Sequence, residues 1–129
     1  MDKITKYWLE QSMYDLETAQ AMFKTKRYLY VMFLCQQSIE KILKAIITTV
    51  SNITPPRIHD LIKLTKSANI YELMDKEQIE LCTELTPFCI EARYPEYREK
   101  MSKLSTKKNA NTYLVRTKGL HRWLKHKIK

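Results

Sequence analysis

Tyr28-Leu-Tyr-Val-Met-Phe-Leu-Cys-Gln-Gln-Ser-Ile-Glu-Lys-Ile-Leu-Lys-Ala-Ile-Ile-Thr-Thr-Val50 carries the strongest periodicity in the chain. Tyr28, Val31, Met32, Cys35, Ile39, Ile42, Leu43, Ile46, Ile47 and Val50 recur at steps of three and four. That spacing places them on one side of a helix and predicts a long core helix over Lys26 to Val50. A second stripe, Gln37, Glu40, Lys41 and Lys44, runs along the opposite side. Glu40 and Lys44 form an i, i+4 pair in the favourable order, worth only a few tenths of a kcal/mol. The ordinary reading of this stripe is a solvated face; a dimer contact or a ligand face are the others.

The same reasoning extends outward. From about Asp2 to Lys24, the residues Trp8, Ser12, Leu16, Ala19 and Phe23 share one side of an amphipathic helix, with Asp15 in the middle of it. A carboxylate on a buried face needs a partner, because an isolated buried charge is costly; at the stripe's edge Asp15 would reach water instead. Thr54-Pro55-Pro56-Arg57 breaks the chain after the core helix, since consecutive prolines lack donors and hold an extended path. A short helix is expected from about Ile58 to Ala68. Asp75 then reads as the N-cap of a helix over about Lys76 to Glu91, which Pro87 should kink or divide. Arg98, Lys100, Lys103, Lys107 and Lys108 suggest a basic surface connection. A last helix, about Ser105 to His126, aligns Ala110, Leu114, Thr117, His121 and Leu124 on one side.

The whole chain of 129 residues contains one glycine and four prolines, too few for the tight turns of a sandwich or barrel. One all-α domain spanning residues 1–129 is expected. Its formal net charge of +9 suits phosphate-rich partners, although a lysine-rich proteome gives the same sign. Cys35, Cys82 and Cys89 are odd in number and lie in apolar runs, and the amino terminus shows no signal-peptide pattern. This favours a reducing, cytoplasmic setting with no membrane span.

Tests for chemistry remove several classes. The cysteines and histidines lack paired zinc spacing, and a single glycine cannot build a phosphate loop or dinucleotide fingerprint. No metal or cofactor is implied. Arg116 and His121 are separated by four residues, a spacing compatible with acid–base and oxyanion roles. In a regular helix, however, that five-residue step turns through roughly 140° and points them apart unless Gly119 distorts the helix. His59 and Arg93 form the other pair. His59-Asp60 stands at a helix start, and Arg93-Tyr94-Pro95 at a chain turn, where a guanidinium suits a carboxylate or a phosphate. An internal ion pair at the bundle's corner is the competing reading of Arg93.

Three motifs in order, Gln36-Gln-Ser-Ile-Glu-Lys-Ile-Leu-Lys-Ala45, Ile58-His-Asp-Leu61 and Glu91-Ala-Arg-Tyr-Pro95, give the chain a resemblance to the HEPN family (higher eukaryotes and prokaryotes nucleotide-binding domain). Trp8, Asp15-Leu16, Ala19, Tyr28, Pro56 and Leu85-Thr-Pro-Phe88 extend the match over nearly the whole length. The resemblance implies an antiparallel bundle of four to five helices, commonly a homodimer. Many members are RNA-cutting toxins with an Arg, four to six residues, His motif; others with an Ala-Arg-Tyr-Pro signature partner minimal nucleotidyltransferases. Arg93 stands where that motif's arginine belongs, but Tyr94 to Lys100 contain no histidine, and Arg116 with His121 come too late in the chain.

The resemblance therefore implies a non-catalytic domain that binds a nucleotide or RNA phosphate, or docks a nucleotidyltransferase in a toxin–antitoxin or defence setting. A toxin-type metal-independent ribonuclease using Arg93, Tyr94 and His121, and a structural interaction module, are the alternatives. The expected ligand-binding residues are Arg93, His59, Tyr94, Lys41, Lys44 and Asp15.

Overall fold

The computed structural model describes residues 1–51, 54–89 and 94–128. Within them the chain forms six α-helices and no strand: α1 (Lys3–Lys24), α2 (Tyr28–Val50), α3 (Leu61–Ser67), α4 (Lys76–Leu85), α5 (Pro95–Leu104) and α6 (Lys107–Lys125). Single 3-10 turns lie at Tyr71–Leu73 and Thr86–Cys89. No helix among the described residues is long and apolar enough to cross a membrane.

Local chemistry sets the boundaries. Helix α1 stops where Lys26 turns left-handed (φ 63°), and the Arg27 and Lys26 N–H groups close back on the Met22 and Phe23 carbonyls. Asn69 (φ 58°) ends α3 in the same way, with Ile70 and Asn69 N–H donating to Thr65 and Lys66. Asp60 accepts from the Ile62 and Lys63 N–H groups, so α3 begins after Asp60 rather than at Ile58. Asp75 caps α4, as the sequence suggested, and Gln78 returns the bond to the Asp75 N–H, a reciprocal cap that the sequence reading did not include. Pro87 does divide the expected helix: α4 ends at Leu85 and a 3-10 turn, Thr86–Cys89, follows, while Ile90 and Glu91 lie outside the described residues. The basic stretch read as a connection is instead mostly helix α5, which Pro95 opens from the first turn and Met101 anchors in the core.

Helices α1 and α2 form an antiparallel hairpin, shown by contacts that climb one helix while descending the other: Thr5 to Thr48, Trp8 to Lys44, Asp15 to Lys41. Helix α6 lies against α2, and α3, α4 and α5 also reach it. Because α2 has neighbours on nearly every side, the expected solvated face is corrected: Glu40 and Lys44 are buried. Asp15 is buried too, not at a wet edge.

Candidate functional site

Helix α2 carries Gln36, Glu40 and Lys44 at steps of four, and the turn before α3 brings His59 against them. Glu40 is the hub. One oxygen accepts from His59 Nδ1 at 2.8 Å and from Gln36 Nε2 at 3.1 Å; the other lies 3.0 Å from Lys44 Nζ. Gln36 Nε2 also donates to the His59 carbonyl at 3.1 Å, tying the turn's backbone to the helix. Gln37 supplies Gln36 with a donor at 2.7 Å, completing the chain of amides.

A carboxylate only accepts, so the Nδ1 of His59 carries the proton in this contact, and the neutral ring keeps a lone pair on Nε2. The His59 side chain remains 60% exposed while its Glu40 partner is 5% exposed. The imidazole is thus fixed from inside and open to water outside. The buried ammonium of Lys44 lies 5.5 Å from the Trp8 ring centre, which adds a cation–π contact to its ion pair.

Neighbouring groups converge on the same end. Burial pushes the Cys89 thiol up, and the negative charges of Glu40 and Asp60 push it further, so Cys89 lies within their field. Partial burial and the nearby Cys89 raise Tyr97 in turn, and its hydroxyl donates to the Pro87 carbonyl at 2.6 Å. Tyr94, the N-cap of α5, is 69% exposed. Arg93 lies outside the described residues, between Cys89 and Tyr94 in the chain.

The other expected residues are not brought to His59 as free ligands. Lys44 is matched by Glu40, and Lys41 lies 2.7 Å from Asp15 Oδ2, so both lysines neutralise carboxylates of the bundle. The Asp15 contact is a close ion pair with poor hydrogen-bond alignment, leaving Oδ2 without a well-directed donor among the described residues. Gln36, Glu40 and Trp8 were missed as site residues. The signal for the first two was polar side chains at steps of four on an otherwise apolar helix.

Arg116 and His121 point apart, as a regular helix requires. Arg116 reaches Glu84 at 3.1 Å, and His121 Nε2 meets Ser12 Oγ at 3.0 Å in the interior. Gly119 leaves α6 uninterrupted. Partial burial would raise the Glu84 carboxyl, but hydrogen bonds from Tyr113 and Arg116 and the guanidinium's charge together hold it below its ordinary value. Burial, aided by the charge of Lys125, lowers His121 to about 4. No group of three metal-ligating side chains occurs among the described residues.

A family model described as "HEPN domain" matches residues 5–127. The crystal structure of TT1696 from Thermus thermophilus superposes with a TM-score of 0.84 at 20% identity, over 98% of this chain and 99% of that one. ST0689, described as an archaeal HEPN homologue, superposes at 0.72 and 22% identity, over 99% of this chain and 100% of that one. No curated protein matches the chain.

Proposed function

Because this chain belongs to the HEPN domain family, we propose that it works as a phosphate-binding domain, taking a nucleotide or an RNA phosphate at the end of the bundle that carries His59. The observation that carries this reading is the imidazole itself: pinned through Nδ1 to buried Glu40, it offers its outer edge to solvent. Arg93 follows Cys89, itself within the field of Glu40, by four positions in the chain, and we assign it to the same site. The net charge of +9 draws anionic ligands toward it. Lys41 and Lys44 are set aside as direct phosphate ligands, since each is already matched by a carboxylate.

In this reading the domain is a cytoplasmic homodimer and docks a minimal nucleotidyltransferase. Ile4, Tyr7 and Tyr14 of α1 are exposed and share one helical side, an uncovered apolar face suited to a second copy. Titrating ATP, GTP and a short RNA into wild type, Arg93→Ala and His59→Ala tests the site. Both substitutions should weaken binding by about tenfold or more. Equal affinity in the variants, or no binding by wild type, rejects it.

One observation favours a second reading. A carboxylate-held imidazole with a free Nε2 lone pair is the arrangement of a general base. Placed beside a ribose 2′-hydroxyl it would make the domain a metal-independent ribonuclease built on His59, not on the buried His121. Cleavage of RNA by the purified protein, lost in His59→Ala, would establish it; intact RNA after prolonged incubation removes it.

A further inference from the structure

Helices α1 and α6 flank α2 and leave between them a groove of about 280 Å³ that shares no lining residue with the His59 cluster. Met13 and Leu16 make its apolar shelf on α1. Lys118, Arg122 and Lys125 lie on one side of α6, at steps of four and three, and form the opposite wall. None of these three cations is in an ion pair among the described residues, unlike Lys41 and Lys44. Glu17 and Gln20 complete the α1 side.

The floor includes His121, and its protonation pattern follows from its neighbours. The single hydroxyl proton of Ser12 goes to the Leu9 carbonyl at 2.7 Å, so Ser12 Oγ must accept at 3.0 Å from His121 Nε2–H. In the neutral ring Nδ1 is then a bare acceptor. The enclosed side-chain polar atoms without a partner among the described residues are Trp8 Nε1, Asp15 Oδ2 and Thr117 Oγ1. His121 Nδ1 has no partner among the described residues either, and the residue lines the groove. A buried imidazole with one nitrogen committed inward and the other open is a directional recognition element, not a core filler.

We propose that this groove binds a small phosphate monoester that also carries an N–H or O–H donor, its phosphate held by Lys118, Arg122 and Lys125 and its donor by His121 Nδ1. Three unmatched cations against the one carboxylate of Glu17 give the charge selectivity. The shelf of Met13 and Leu16 takes the face of a sugar or a ring. A volume near the lower end for small-molecule sites matches one such unit. The ligand chemistry is common to nucleoside monophosphates and sugar phosphates, which the experiment separates.

The test follows the imidazole nitrogens of the full chain by long-range proton–nitrogen NMR, together with the melting temperature, while adding inorganic phosphate, ribose 5-phosphate, AMP or adenosine. AMP or ribose 5-phosphate should move the His121 Nδ1 resonance and raise the melting temperature; whichever acts at the lower concentration names the source. Adenosine, lacking the phosphate, should do neither. Arg122→Glu, an exposed change that leaves the core intact, should weaken the binding by about tenfold or more, whereas Lys76→Glu, the same reversal of charge on α4 outside the groove, should leave it unchanged. Three results overturn the proposal: a stationary Nδ1 with every ester, phosphate alone binding as well as its esters, or equal binding by Arg122→Glu. An equal loss of binding in Lys76→Glu would mean that net charge alone attracts the ligand and overturns it as well.

Discussion

Two histidines divide the molecule. His59 lies outside the helices, exposed, with a carboxylate on Nδ1; His121 lies inside α6, buried, with a serine hydroxyl on Nε2. At the first, the carboxylate orients a ring that water can reach; at the second, burial and Lys125 oppose the charged ring. The same side chain is therefore an exposed ring tied to a carboxylate at one end and a buried ring tied to a hydroxyl beside the α1/α6 groove. Environment assigns these roles, and residue type does not.

The largest test of this contrast is Glu40→Ala. It leaves the Lys44 ammonium buried without its partner and should destabilise the fold by about 3–5 kcal/mol in urea unfolding. Glu40→Leu with Lys44→Met should recover most of that loss, because the pair is then removed together. A full recovery with phosphate binding intact would break the link drawn between Glu40 and the orientation of His59.

Next comes pH. His121 titrates near 4 in the folded chain, below the 6.5 of an ordinary histidine. The unfolded chain thus takes up the proton first, so stability is fully present above pH 6.5 and falls as pH drops from there toward 4. His121→Gln should flatten this part of the profile by on the order of 2–3 kcal/mol relative to wild type. Parallel profiles would mean that the imidazole is not held neutral.

Smaller effects sharpen the other side. His59→Ala should cost about 1 kcal/mol or less, since the ring is largely solvated and Glu40 keeps Lys44 and Gln36. Gly119→Ala should stabilise by about 0.5 kcal/mol in thermal unfolding. A Cβ there meets nothing within 4 Å, and the backbone is already helical. Destabilisation would show that the α6 helix is strained beside His121.

Much of this architecture was legible because apolar spacing reports directly on packing. All five residues expected on the inner side of α6 are buried, and Asp75 caps α4 as expected of an aspartate ahead of a helix. The polar interior was not legible. A solvated Glu40–Lys44 pair and a buried one have the same spacing, and only the number of helices around α2 separates them. Helix α5 was obscured because half of its residues are charged and Met101 is its one buried residue. Of the expected site, His59 and Tyr94 are exposed at the ends of their helices, and Lys41, Lys44 and Asp15 are absorbed into the bundle.

The Tyr97 hydroxyl, bonded to the Pro87 carbonyl ten positions earlier, closes a circuit between α5 and the 3-10 turn. The entropy of drawing those ends together is met once, when the protein folds. Were the proposed ligand gripped by residues within the circuit, that cost would not be met again, and the Tyr97 hydroxyl would add to the affinity without touching the ligand.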